Sequence, residues 1–226
     1  MLVIKPDFTR LIELPGVGPC PRPVDIDRSV TGFNDLISLR VYTFAQDLVI
    51  GGEAEEDELF IVLLRGAIDI YVTGGSTSSF VLQADGETGA AYLPPHDCYR
   101  LHTRSDAAVA YARARPRDGK AKIARAFDRV DGRLAVVGYA DSLGIALSAG
   151  AGDNDVALSQ LGNSANERLI HVRSTDGGAI SVAGQQLHDW QTLALGRGDP
   201  GEIDSTNGNT TILVIVATRP AVLTNQ

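Results

Sequence analysis

The sequence predicts an all-β fold in which two small barrels follow one another along the chain. Three observations lead there: the length, the density of short apolar runs between turn residues, and an internal echo between the two halves. At 226 residues the chain exceeds one average domain and suits two, each able to bury its own core. With 44% hydrophobic and 21% charged residues, it has the composition of a folded globular chain rather than a disordered one.

Runs bounded by Gly, Asp, Pro and Ser clusters place strands at Leu39 to Phe44, Leu59 to Leu64, Ala67 to Val72, Ser79 to Gln83, Ala90 to Leu93, Tyr99 to Thr103 and Ala107 to Ala112. Such spacing belongs to a sandwich or barrel. The run Leu59 to Leu64 is apolar at every position, so both of its faces must be covered. That predicts either the first thirty residues packed outside the barrel or a homodimer interface. A single helix is predicted over Lys120 to Val130, where Gly119 marks the start and Ile123, Phe127 and Val130 fall at helical intervals.

The halves echo each other in order. Gly66-Ala67-Ile68-Asp69-Ile70 matches Gly178-Ala179-Ile180-Ser181-Val182, Glu58 before an apolar strand matches Glu167, and the stretch from Val109 to Pro116 matches Ile215 to Pro220. A duplicated β-domain follows. Its predicted parts are an N-terminal arm over 1–27, a first barrel over 28–116, a linker with the short helix over 117–132, and a second barrel over 133–220.

The net charge of −8 and a pI near 4.9 repel nucleic acid and anionic lipid, so neither is an expected partner. The N-terminus lacks a basic segment followed by a long apolar one, and no apolar run could span a bilayer, which predicts a cytoplasmic protein. Cys20 and Cys98 stand in unrelated contexts and suit a reducing compartment. No phosphate-binding loop, dinucleotide fingerprint or nucleophile elbow is present.

The stretch from Gly51 to Gly66 (Gly-Gly-Glu-Ala-Glu-Glu-Asp-Glu-Leu-Phe-Ile-Val-Leu-Leu-Arg-Gly), followed by Ala91-Tyr92-Leu93-Pro94-Pro95-His96-Asp97-Cys98-Tyr99, resembles the two cupin motifs. The likeness is greatest to the N-terminal cupin of the 5-deoxyglucuronate and 5-keto-4-deoxyuronate isomerases, over about residues 30 to 125. It implies two tandem cupin barrels, each a jelly roll or double-stranded β-helix. Aligned on Glu58, the two histidines of the family's first motif fall on Gly51 and Glu53. Aligned on Pro94, the third falls on Tyr99, and the motif's asparagine falls on Thr103. Of the family's metal ligands only Glu58 remains, separated from Gly66 by seven residues where the motif has six. A first-row metal needs several nitrogen donors, so no cofactor is expected and a divalent metal is disfavoured.

The resemblance makes Glu53, Glu58, Tyr99 and Thr103 the candidate ligand pocket of barrel 1, and Glu167 and His171 that of barrel 2. No residue is assigned a catalytic role. His102 falls on the outward face of its strand by alternation, and His188-Asp189-Trp190 reads as a turn carrying an anchoring Trp. Two functions follow. One is a metal-poor bicupin related to sugar-acid metabolism, binding a small polar ligand or serving as structure. The other is a sugar-acid isomerase whose acid–base groups are carboxylates such as Glu53 and Glu58. A closed, apolar barrel interior would instead favour a purely structural homo-oligomer.

Overall fold

A computed structural model describes residues 1–75, 77–117, 122–149, 165–206 and 209–218. The strands of the first half are β1 (Leu2–Ile4), β2 (Leu11–Leu14), β3 (Gly18–Pro21), β4 (Val24–Asp27), β5 (Leu36–Phe44), β6 (Val49–Glu53), β7 (Glu58–Arg65), β8 (Ala67–Thr73), β9 (Ser78–Gln83), β10 (Thr88–Leu93), β11 (Cys98–Thr103) and β12 (Ala107–Ala114). Those of the second are β13 (Arg125–Asp128), β14 (Arg133–Val136), β15 (Leu143–Ala149), β16 (Arg168–Ser174), β17 (Ile180–Val182), β18 (Gln185–Leu187), β19 (Thr192–Leu195), β20 (Ile203–Thr206) and β21 (Thr210–Ala217). One short helix, α1 (Arg28–Thr31), is capped by Asp27, whose carboxylate accepts from the Ser29 and Val30 amides.

Each barrel pairs a large sheet with a small one. The large sheets run β13-β10-β7-β12-β5-β4 and β1-β19-β16-β21-β15-β14, and their strands correspond one to one. The small sheets are β6-β11-β8-β9 in barrel 1 and β18-β17-β20 in barrel 2. The turn after β10 recurs after β19. Asp97 N–H reaches Pro94 O and Asp199 N–H reaches Gly196 O, each at 3.3 Å, across residues of positive φ, His96 and Gly198. The predicted duplication is therefore visible strand by strand. The N-terminal segment is divided between the repeats: β1 pairs with β19 of the second, and β4 with β5 of the first.

Alternation sorts the apolar side chains into three clusters. On β7, Leu59, Ile61 and Leu63 fill barrel 1, while Phe60 and Val62 face the other way. On β16, Ile170 and Val172 fill barrel 2, while Leu169 faces out. The outward sets meet, so the large sheets pack back to back across one apolar seam. This seam is what covers the second face of Leu59 to Leu64, in place of the N-terminal arm or the partner subunit that the sequence predicts.

The predicted strands all form, but the helix does not. Within Lys120 to Val130 the described residues hold β13, hydrogen-bonded to the edge of β10. Of the three apolar positions that suggested a helix, Ile123 and Val130 are exposed, and only Phe127 is packed, against Phe60 and Tyr139. Edge pairing outweighs a periodicity that buries one side chain.

Two glutamates fasten the repeats to each other. Glu58, at the start of β7, accepts from Asp141 N (2.6 Å), Ser142 N (2.7 Å) and the Tyr92 hydroxyl (2.9 Å). Glu167, just before β16, accepts from Asn34 N (2.8 Å), Asp35 N (2.8 Å) and Leu36 N (3.1 Å). Each carboxylate thus binds the amides that lead into the first long strand of the opposite repeat. Both are buried, so a charge-assisted bond satisfies donors that water cannot reach.

His171 lies on the same face of β16 as Leu169 and points into the seam. Its Nδ1 is 2.9 Å from the Thr192 hydroxyl, and its ring meets Trp190 edge-on at 6.1 Å. Trp190 is also covered by Phe8 at 5.7 Å and by the Arg173 guanidinium at 3.7 Å, an anchor for the turn that carries it. Burial, with Arg173 beside it, pushes the His171 pKa down to about 3.

If the glutamate clasps hold the repeats together, Glu58→Ala and Glu167→Ala should each lower the unfolding free energy by about 3–5 kcal/mol, and the Gln variants by about 1–2, in urea titrations. A loss below about 1 kcal/mol in both Ala variants would contradict the clasp. For His171, the unfolded chain takes up a proton near pH 6.5 while the folded one resists until about 3, so stability should fall as pH falls through that interval. The His171→Leu variant should show a flatter profile between pH 6.5 and 4, and an unchanged slope would refute the buried neutral imidazole.

Candidate functional site

Polar residues recur at every second position of β5, where Ser38, Arg40 and Tyr42 alternate with the seam-facing Leu39 and Val41. Tyr111 and Arg113 do the same on β12. Cross-strand register joins them in rows on the barrel 1 side of the large sheet: Asp25, Arg40, Tyr111, Ile61 and Ala91 in one, and Ser38, Arg113, Leu59 and Leu93 in the next. The facing small sheet contributes Gly52, Tyr99 and Val72.

Tyr111 is the hub, with its ring 5.6 Å from Tyr42 and 6.1 Å from Tyr99. A side chain at Gly52 would come within 2.4 Å of the Tyr99 ring, so glycine is what lets that phenol lie across β6. Burial pushes the Tyr99 pKa up to about 12 and that of Tyr111 well above the usual phenol value. Both therefore stay neutral donors near pH 7.

Arginines surround the phenols. Arg22 donates to the Tyr42 hydroxyl at 2.9 Å, lies over its ring and pairs with Asp25 at 2.7 Å. Asp25 also meets Arg10, and Arg40 at 3.5 Å, so one carboxylate faces three guanidinium groups. Arg113 donates to the carbonyls of Ala54 (2.8 Å) and Glu53 (2.6 Å), which fixes the loop after β6. The β2–β3 hairpin packs Ile12, Leu14 and Cys20 against the barrel 1 cluster and brings Arg22 to its place.

Within this group the Ser38 hydroxyl is buried and reaches no hydrogen-bond partner among the described residues, while Arg40 Nε has Asp25 at 3.5 Å and the Tyr111 hydroxyl meets Tyr99. Buried polar atoms without partners are uncommon in native interiors. Ser38, Arg40 and Tyr111 stand on neighbouring positions of two paired strands.

The residues predicted to form pockets are dispersed. Tyr99 does face the barrel 1 interior. Thr103 does too, but its hydroxyl is engaged, donating to Ala45 O (2.7 Å) and accepting from Leu48 N (2.8 Å). Glu53 is exposed and points outward, and Glu58 faces the seam, so the two carboxylates share no pocket. Glu167 and His171 also belong to the seam rather than to the interior of barrel 2, which is lined by Ile170, Val172, Leu193 and Val214 together with the buried Arg168, whose guanidinium donates to Asp199 O. His102 lies outward, 3.8 Å from Asp69.

The inward positions explain the seven-residue spacing. Counted from Gly66, the motif's metal positions fall one residue later, on Gly52, Ala54 and Leu59, with Tyr99 as the fourth. None of these is an imidazole or a carboxylate, so barrel 1 does not fit a cupin metal. Among the described residues no three His, Cys, Asp or Glu side chains gather in a metal-holding group. The counterpart of β6 in barrel 2 lies outside the described residues. No described helix is long and apolar enough to cross a membrane.

Several solved structures are similar to this chain. A putative glyoxylate induced protein from Pseudomonas aeruginosa matches 99% of it and 91% of its own length at 16% identity, with TM-score 0.68. Protein Ylba from E. coli matches 96% of it and 91% of its own length at 13% identity, with TM-score 0.66. A cupin 2 conserved barrel domain protein from Leptotrichia buccalis matches 96% of it and 98% of its own length at 14% identity, with TM-score 0.53. No family model matches the chain, and no curated protein does. Identities this low carry the fold alone: the chain is all-β and has the cupin fold twice, as two jelly-roll barrels in tandem.

Proposed function

We propose that the chain is a metal-independent binding protein whose first barrel takes a small hydroxylated anion of the sugar-acid kind, and whose second barrel is structural. The observation that supports this reading is the buried polar face that Ser38, Arg40 and Tyr111 form on the interior side of barrel 1, where the Ser38 hydroxyl has no hydrogen-bond partner among the described residues. A guanidinium beside neutral phenols suits a carboxylate flanked by hydroxyls, because the cation pairs with the charge while the phenols and Ser38 exchange hydrogen bonds with the alcohols. The mostly apolar filling of barrel 2, in which the buried Arg168 is engaged by Asp199 O, supports a structural role for that half. Isomerase chemistry by Glu53 and Glu58 finds no support in their placement, since both point away from the barrel 1 interior, on different sheets.

Calorimetric titration with D-glucuronate, and with glucose as the uncharged control, tests the proposal. Glucuronate should bind at millimolar concentrations or below and glucose more weakly. Arg40→Met should weaken the glucuronate complex about tenfold and Tyr111→Phe about threefold. The proposal fails if no heat appears up to about 10 mM glucuronate, or if Arg40→Met binds as tightly as the parent.

A further inference from the structure

The strand-for-strand correspondence of the repeats makes the two ends of the seam comparable, and they are built differently. At the Glu58 end, Tyr92 gives its hydroxyl to Glu58 Oε1, and its ring sits 5.4 Å from Phe60 and 5.3 Å from Tyr139. The phenol closes that end. At the Glu167 end the corresponding residue is Ala194. Both residues pair with the position two beyond the clasp glutamate, Tyr92 with Phe60 and Ala194 with Leu169. Both also stand two residues before the start of the repeated turn, at Pro94 and Gly196.

Where the phenol is replaced by a methyl group, a cleft of about 330 Å³ opens, lined among others by Leu2, Phe33, Asn34, Glu167, Ala194 and Arg197. Its size is that of a small-ligand site. The carboxylate at its base accepts three hydrogen bonds, as its counterpart does, but shares them differently between its oxygens. Glu58 Oε1 accepts from both an amide and the Tyr92 hydroxyl, whereas among the described residues Glu167 Oε1 accepts from Asn34 N alone, with the Arg197 guanidinium at 3.9 Å.

We infer that this cleft is a binding site for a small phenol, whose ring occupies the space that the Tyr92 side chain fills at the other end and whose hydroxyl donates to Glu167 Oε1. Leu2, Phe33 and Ala194 supply apolar walls for the ring. The Asn34 amide and the Arg197 guanidinium at the rim can meet a polar substituent. The site is separate from the barrel 1 face, and neither depends on the other.

The probe is p-cresol, the side chain of tyrosine as a free molecule, titrated into the full chain by calorimetry and by thermal shift, with toluene as the apolar control. p-Cresol should bind with one-to-one stoichiometry, at least about tenfold more tightly than toluene, and should raise the melting temperature. Ala194→Tyr should fill the cleft from within, melt higher than the parent and bind p-cresol at least about tenfold more weakly. Should that variant fail to fold, Ala194→Leu, which blocks the same wall with a smaller group, should show the same loss of binding. Arg40→Met should leave p-cresol affinity unchanged, which keeps this site distinguishable from the barrel 1 site. Absence of p-cresol binding, equal affinity for toluene, or full affinity in the folded Ala194 variants would each overturn the inference.

Discussion

The architecture depends on one constraint: the backbone amides that enter the first long strand of each repeat are buried at the seam and must be satisfied there. Glu58 and Glu167 do this reciprocally, each from the repeat that does not own the amides. An apolar seam alone would hold two twisted sheets together but would leave their register loose, because burial is not directional. A carboxylate accepting from two or three fixed N–H groups sets that register. It also explains why a charged residue occupies the first position of β7, whose next five residues are all buried and apolar.

The seam further determines what each barrel can do. Because the large sheets cover each other along the seam, the face left to each repeat, apart from the unfilled Ala194 end, is its barrel interior, and there the repeats diverge. Barrel 1 carries an alternating polar set, Ser38, Arg40 and Tyr42 on β5 with Tyr111 and Arg113 on β12, at the end where the N-terminal hairpin is fastened by Arg22 to Asp25 and Tyr42. Barrel 2 presents chiefly isoleucine, valine and leucine to its interior, with one buried arginine, Arg168, bonded to Asp199 O. One fold thus holds a more polar half and a more apolar half, joined by an interface that is symmetric in its clasps and asymmetric in its filling.

Most of the strands were legible in the sequence, since those of the first half are bounded by turn residues, and the ordered echoes between the halves, Glu58 in Glu167 among them, pointed to the duplication. What the echo could not reveal was direction. Side-chain parity on a strand buried on both faces, such as Leu59 to Leu64, is invisible to hydropathy, and a shift of one residue exchanges the two faces. Glu58 was therefore read as an inward ligand when it faces the seam. The extra residue before Gly66 was the available signal, because counting back from that glycine places the motif on Gly52, Ala54 and Leu59. The polar face of barrel 1 was legible as well: Ser38, Arg40 and Tyr42 form a period-two pattern that hydropathy alone passes over, since the intervening residues are apolar. His171 was harder, because its neighbours Leu169 and Arg173 share its face yet differ in polarity, and only the stacking of Arg173 on Trp190 reconciles them.

The same parity separates stability from chemistry in this fold. The first clasp residue and one of the motif's metal positions lie on opposite faces of the same strand, β7, with Glu58 turned to the seam and Leu59 turned to the barrel interior. Replacing inward ligands by Gly52, Ala54 and Leu59 leaves every clasp bond intact and allows the interior to close with apolar contacts. A cupin can therefore carry no metal positions in its first barrel and keep its tandem architecture, because what joins the repeats never passes through the site. Function in such a chain must be sought where polar groups are buried without partners and where the repeats cease to match. Those two criteria select different places here, the Ser38–Arg40–Tyr111 face of barrel 1 and the Ala194 end of the seam.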